Sequence, residues 1–550
     1  MIEKPYFSRV FTTLLFILTT LTHQSASQTT NPDDVKAMQS LKSKLDLSKS
    51  SDLSWSDPDP CKWTNVGCQS GRVSAIQIGK QNVAGSLPSD LSSLTSLTRL
   101  ELQSNQITGA LPSLKGLASL QVLLLHSNSF TSVPDDFFDG LTSLQAVYLD
   151  WNPFHAWPVP ASLSQLTGLV NFSANNANVT GPIPDFFALL PSLSSFNLAF
   201  NSLTGSLPLS LGSSNLKTLW LNNQNGVKLS GSIDVIRNAT SLEQLWLQSN
   251  GFSGPIPDLT GMDSLWDLDL RDNQLTGPVP ESLKALPSLK NITLTNNLLQ
   301  GPVPEFDVGI DVDMKVDSER FCLPKPGACD ARVDVLLSVA KDLGYPIRFA
   351  NGWTGNDPCA GWIGITCDAR GNITILNLQK MGLSGTISPY FARLTSVQKL
   401  LLSNNDLYGP IPSELSKMPN LKELDVSNNA LSGPVPVFDA AVVFRKDGNP
   451  NLGKEVMFPP GKGNSSGGSS GSGGSGTDSG GGDGGKKRKT SVAVIIGSIV
   501  AVVCVVSLIV LGLVLYKRKN RVQGTSTTVI HPRHSGSDQD MVKITVSGPA

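Results

Sequence analysis

Six of the seven cysteines fall in three close pairs: Cys61 with Cys68, Cys322 with Cys329, and Cys359 with Cys367. Thiols this near one another build either a zinc site or a disulfide. Zinc needs four ligands, and no His or further Cys lies beside Cys61 and Cys68. In an exported chain the three pairs are therefore expected as local disulfides. The remaining candidates for chemistry form no constellation. His126 and His155 sit far from His531 and His534, and the Asp and Glu residues are expected on solvated faces. Gly471, Gly473 and Gly476 match a dinucleotide-type G-x-G-x-x-G, but a phosphate cradle needs a strand before it and a helix after it. Both flanks here are Gly and Ser. No catalytic residue, metal or cofactor is expected. V-A-I-K, H-R-D and D-F-G are missing from the 550 residues, so no phosphotransfer is expected of them either.

The elements that position these residues come from one repeated phrase, clearest in LWDLDLRDNQLTGPVP from Leu265 to Pro280. Its first apolar position recurs at Val73, Leu97, Leu120, Leu144, Leu169, Leu193, Leu216, Leu242, Leu265 and Leu289, then at Ile373, Val397 and Leu421, in steps of 23 to 26 residues. The L-x-x-L-x-L-x-x-N pattern with this period is that of leucine-rich repeats, each giving one strand to a curved parallel sheet. The expected fold is an α/β leucine-rich repeat solenoid in two blocks, ten repeats and then three. A single coil cannot bury its Leu row, so stability must come from stacking. Asn105, Asn128, Asn152, Asn201, Asn250, Asn273, Asn297, Asn405 and Asn429 are expected to form an internal ladder that satisfies backbone groups at the turn. Thirteen strands about 4.8 Å apart would span roughly 60 Å, room for a peptide or protein. The seventh step is stretched at Gln224 to Lys228.

Two similar caps precede the two blocks. Asn31-Pro32-Asp33-Asp34 starts a helix, whose apolar face is Val35, Met38, Leu41 and Leu45. Trp55, Cys61, Trp63 and Cys68 follow it. Asp330 starts a second such segment, ended by Gly344 and followed by Trp353, Cys359, Trp362 and Cys367. Cys322 and Cys329 would finish the first solenoid.

Residues 1–27, with a basic start and a short apolar run, read as a secretory signal peptide. The cap then covers 28–72, the ten repeats 73–304, the non-repeat insert 305–372 and the last three repeats 373–436. A Gly/Ser-rich linker covers 437–490. Residues 491–516, nearly unbroken apolar from Val492 to Tyr516, are expected to cross a membrane once. Residues 517–550 form a cytosolic tail. Charge does not orient the span, since Lys and Arg flank both ends, whereas the signal peptide places the repeats outside. A net charge of −1, with 16% charged residues and no basic stripe, excludes a nucleic-acid binder. Glycosylation acceptors lie at Asn171, Asn178, Asn238, Asn291, Asn372 and Asn464.

The L-T/S-G-x-I/V/L-P endings at Leu203, Phe252 and Leu431 resemble the plant class of leucine-rich repeat. The ten-insert-three order, the tether and the apolar span resemble the transmembrane kinase subfamily of plant leucine-rich repeat receptor-like kinases. The tail segments Val529–Gly536 and Val542–Val546 resemble that subfamily's juxtamembrane region. The resemblance implies a plasma-membrane receptor linked to auxin-dependent growth signalling, with secreted auxin-binding proteins or a co-receptor as partners. Because the family continues into a serine/threonine kinase and these residues stop at Ala550, a truncated or kinase-less form is expected. A membrane-anchored decoy or a wall-associated inhibitor is the alternative.

Between the Leu positions the intervening residues should face outward. This puts Tyr148, Trp151, Phe200, Trp220, Trp246, Trp266 and Arg271 on or beside the concave surface, as partner-binding candidates. Glycans on Asn171 and Asn291 would leave repeats six to nine open between them. Two other readings stand beside this one: the aromatics pack only on each other, or a partner docks on the insert near Arg348 to Trp362.

Overall fold

The computed structural model describes residues 29–315, 320–454, 527–533 and 540–546. The chain divides into two units, Met1–Pro459 and Pro460–Ala550. The signal peptide, the Gly/Ser stretch with Asn464, and the apolar segment from Val492 to Tyr516 lie outside the described residues. Among those residues no helix is long and apolar enough to cross a membrane. In the second unit, Thr527–Arg533 pairs antiparallel with Asp540–Val546.

In the first unit the period of the Leu phrase becomes a twelve-stranded sheet. Val66–Gln69 pairs antiparallel with Arg72–Gln77. From there every neighbouring pair is parallel, out to Asn291–Thr293. Strand alternation turns the Leu positions inward, and Leu216, Leu219, Leu242, Leu245, Leu265 and Leu268 have no accessible surface. Fully burying one such side chain contributes about 1.5–3 kcal/mol, which is why a row of them holds the stack. The second block repeats the arrangement as a five-stranded sheet from Ile365–Cys367 to Val443–Arg445.

Both sheets run past the last sequence repeat. Asp311–Asp313 adds a parallel strand to Asn291–Thr293, inside the stretch read as a non-repeat insert. Val443–Arg445 does the same beyond Pro436, where composition suggested linker. Neither carries the Leu phrase, so periodicity missed them. An open sheet edge still has backbone groups to pair, and these strands pair them.

The ladder works through one side-chain amide per coil. Asn105 Nδ2 donates to Ile78 O at 2.8 Å and Leu102 O at 2.9 Å, while its Oδ1 accepts from the Gln81 and Val83 amides. Gln224 takes this place in the seventh coil: Nε2 reaches Leu198 O at 2.9 Å and Leu221 O at 3.0 Å, and Oε1 accepts from Leu203 N at 2.9 Å. Asn449 carries the ladder into the coil after the last repeat, donating to Val426 O at 2.9 Å.

Disulfides join Cys61 to Cys68, Cys322 to Cys329 and Cys359 to Cys367. In the first cap, Asn31 accepts from the Asp33 and Asp34 amides and starts helix Pro32–Lys44. The buried stripe of that helix includes a charge: Asp34 joins Ala37, Met38 and Leu41 inside. Arg72 reaches it with Nε at 2.9 Å and Nη2 at 2.8 Å, and the Val73 amide adds a bond at 2.8 Å. Trp55 stacks on Trp63 with centroids 4.8 Å apart. The second cap reproduces the stack with Trp353 on Trp362 at 5.7 Å. There the clasp is Arg332, on helix Ala331–Asp342, bonded to Asp330, Asp357 and Gly371 O.

This second cap packs against the last coils of the first block. Thr276 Oγ1 donates to Tyr345 O at 2.7 Å, Gln300 Nε2 to Trp353 O at 2.7 Å, and Arg320 Nη1 to Ala350 O at 2.7 Å. The Tyr345 ring passes 2.8 Å from where a Cβ on Gly277 would stand, so only glycine fits that turn. Burial, with the nearby charge of Asp342, pushes the Tyr345 hydroxyl up to about 12.

Candidate functional site

Outward-facing residues of the long sheet form the concave surface, and crowding sets their exposure. Neighbouring side chains converge there at the strand spacing of about 4.8 Å, so large rings cover one another. Tyr148, Trp220 and Trp246 are consequently buried, contrary to the exposure expected of them from their outward register. Trp220 lies on Trp246 with centroids 4.3 Å apart and planes 8° from parallel. Trp246 Nε1 donates to Asp267 Oδ2 at 2.8 Å, and Gln244 Nε2 adds a bond at 3.3 Å. Tyr148 meets His126 edge-on at 6.0 Å, and burial, aided by the Asp150 charge, pushes its hydroxyl well above the usual range.

Trp266 is half-buried at the entry to strand Asp267–Asp269. Arg271 is also half-buried, with Nε 3.7 Å from Asp269 and 4.0 Å from Asp272. Phe200 is half-buried, and Trp151 is 41% exposed. The structure thus sorts the seven candidates into a covered group, Tyr148 with Trp220 and Trp246, and a reachable one. Trp353 and Trp362, in the insert offered as a rival docking rim, are buried in the cap.

The acids are not all on solvated faces. Glu101, Asp150, Asp267, Asp269 and Asp425 are buried on the strands or at the turns that end them, as Asp34 is in the first cap. Asp150 Oδ1 accepts from Ser173 Oγ at 2.5 Å and from the Asn175 amide and side chain at 2.9 and 2.7 Å. Register could have flagged Glu101, Asp269 and Asp425, which stand four residues after the first apolar position, as Trp220 and Trp246 do.

Of the acceptor asparagines, Asn171 and Asn291 are half-buried on strands Asn171–Ser173 and Asn291–Thr293. Asn178, Asn238 and Asn372 are exposed. Asn178 Nδ2 donates to Phe154 O at 3.0 Å, and Asn372 Nδ2 to Asp368 Oδ2 at 3.0 Å.

One backbone feature recurs at the end of each strand. Seven residues after the first apolar position, φ is positive in every coil: Lys80, Ser104, Ser127, Trp151, Asn176, Phe200, Asn223, Ser249, Asp272, Asn296, Lys380, Asn404 and Asn428. Small polar residues tolerate this region, whereas bulky ones there carry strain of order 1–3 kcal/mol. Trp151 at 54° and Phe200 at 58° are the two aromatic exceptions.

Residues 31–69 and again 329–368 match the family described as leucine rich repeat N-terminal domain. Residues 95–154 match the leucine rich repeat family, as do 264–286, 396–418 and 420–439. Fold and matches together define a leucine-rich repeat protein with two capping domains. The receptor-like kinase TMK2 of Arabidopsis thaliana is 47% identical over 378 residues, covering 67% of this chain and 42% of the relative. TMK4 of the same plant is 44% identical over 397 residues, covering 72% and 42%. These plant receptor-like kinases are homologues of this chain, which spans about two fifths of their length. Among solved structures, the crystal structure of PEPR1-AtPEP1 aligns over 76% of this chain and 69% of its own, at 22% identity and a TM-score of 0.40.

Proposed function

We propose that this chain is the extracellular, membrane-anchored part of a plant cell-surface receptor that binds a secreted protein or peptide in growth signalling of the auxin type. The observation that supports it most is the 47% identity to a receptor-like kinase, carried over 378 residues. In this reading the repeats face the outside of the plasma membrane on a single-pass type I anchor, and a secreted auxin-binding protein or a co-receptor docks on them. The chain contributes binding, and phosphotransfer belongs to the kinases it resembles.

The partner site in this reading is the concave face of repeats six to nine, between the acceptors Asn171 and Asn291. Trp266 and Arg271 are the anchors there, because a half-buried indole and a guanidinium can both touch a partner and be desolvated by it. The Trp220–Trp246 stack beneath shapes the floor.

The test is capture of candidate secreted auxin-binding proteins by the full chain in membrane vesicles, with and without auxin. W266A and R271A should each weaken capture by about tenfold or more, as interface anchors do. Undiminished capture by both variants would move the site off this face. Autophosphorylation by the purified protein, free of contaminating kinase, would overturn the assignment to binding alone.

A further inference from the structure

The two aromatic residues in the positive-φ row share a hollow. Trp151 and Phe200 stand two coils apart, roughly 10 Å along the stack at the usual strand spacing, with Asn176 between them. Together with Phe154, Asn178 and Asn225 they line an open cavity of about 510 Å³, within the ~300–1,000 Å³ typical of small-ligand sites. The remaining coils fill this turn position with Ser, Asn, Asp or Lys. Bulky rings held in a strained conformation at one spot indicate that the spot has a use. Aromatic faces rimmed by side-chain amides are the composition that suits a pyranose ring, which offers apolar C–H faces and hydroxyls at its edge.

The chain itself supplies such a ring at this place. Asn178 heads the acceptor sequence Asn178-Val179-Thr180, is exposed, and lines the hollow. We propose that the hollow between Trp151 and Phe200 seats the first N-acetylglucosamine rings of a glycan carried on Asn178. Glycan attachment joins Nδ2 to the anomeric carbon of an oligosaccharide borne on a polyprenyl diphosphate. The bond from that carbon to the diphosphate oxygen breaks, the polyprenyl diphosphate leaves, and the amide gives up one proton. A primary amide has two N–H groups, so the second can keep its bond to Phe154 O. That bond holds the amide plane and with it the direction in which the sugar departs. Asn238 is exposed on a short helical turn, Asp234–Asn238, and is not among the residues lining this hollow. It serves as an internal control.

The full chain, expressed through a mammalian secretory pathway, is analysed by glycopeptide mass spectrometry and by timed removal of glycans from the native protein with peptide-N-glycosidase. Asn178 should be occupied, and its glycan should be released about tenfold more slowly than that on Asn238, the factor a single well-made contact supplies. W151S combined with F200N installs residues that the same turn carries at Ser127 and Asn223, so the backbone is kept. That variant should bring the two release rates together. An unmodified Asn178 would overturn the proposal and leave the hollow to a partner's ring. Equal rates in the unaltered protein, or protection that survives in the double variant, would also overturn it.

Discussion

Trp220 lies flat on Trp246 of the next coil, and Trp246 in turn donates its indole N–H to Asp267 Oδ2 at 2.8 Å. The pair therefore belongs to the fold before it can belong to any partner. Trp220 keeps 1% and Trp246 4% of its surface in contact with water.

Replacing either with Ala should cost stability. The loss is expected at about 3–5 kcal/mol, the range for truncating a buried large aromatic, including up to ~1.5 kcal/mol of ring stacking. W220F should lose less than half of that. Urea unfolding followed by tryptophan emission measures both, and a W220A protein as stable as the parent would show that the stack is dispensable.

Much of this was legible in the sequence, and the exceptions have physical causes. Leu265, Leu268 and Leu270 announce a strand and its buried face, and Asn273 announces the turn, because those positions repeat. Exposure does not repeat. Whether Trp220 or Trp266 is covered depends on what the neighbouring coils place beside it, which lies 23 to 26 residues away. Asp34 read as a first-turn acid of a helix, while its pairing with Arg72, 38 residues on, is a tertiary fact. Gln224 was hidden because it breaks the Asn rule. At the site, the register of Trp151 and Phe200 was readable, but their shared hollow with Asn178 was not, since it needs three coils stacked.

Gln224 gives a direct test of the ladder. Its coil is the one lengthened at Gln224 to Lys228, and in the next coil Asn250 Oδ1 is buried with no protein donor. Q224A would orphan the Leu203 amide, while Leu198 O and Leu221 O would keep their bonds from Asn201 Nδ2 and Asn250 Nδ2, at a cost of about 1–3 kcal/mol. Q224N, one methylene shorter, should recover only part of it. Thermal and urea melts decide this, and a Q224N protein indistinguishable from the parent would mean that the longer reach is not needed.

The local disulfides should act block by block. Each closes a loop of about eight residues, for which chain entropy gives roughly 2–3 kcal/mol. Replacing Cys359 and Cys367 with Ser should loosen helix Ala331–Asp342 and the second block by that amount. Protection from hydrogen exchange in the first cap should stay unchanged, because its own bridge joins Cys61 to Cys68. Equal loss of protection in both caps would contradict this local action.

The acid end of the pH scale tests the second cap's clasp. The Asp330 side chain accepts from the Arg332 backbone amide at 2.8 Å, and its two oxygens accept from Arg332 Nε at 3.0 Å and Nη2 at 2.8 Å. These bonds hold its carboxyl below the usual range, chiefly through the side-chain hydrogen bond to Arg332 and against some burial. A carboxyl whose folded pKa is depressed stabilises the fold above its unfolded value of about 3.9, and the gain is lost as pH falls through the lower folded value. Asp334 works the other way: burial, with the Asp330 charge, raises it, so its effect favours the folded state as pH drops. Burial, the larger cause at Asp334, acts in both proteins, so the informative quantity is the difference between the parent and D330N, not the parent alone. Asn caps a helix about as well as Asp, so D330N keeps the cap and removes the charge. Hydrogen exchange across helix Ala331–Asp342 should show the parent more protected than D330N from pH 7 down to about 4. Below that the two should converge. A difference that persists unchanged to pH 2.5, or none at pH 7, would mean that the Asp330–Arg332 charge pair does not hold this cap.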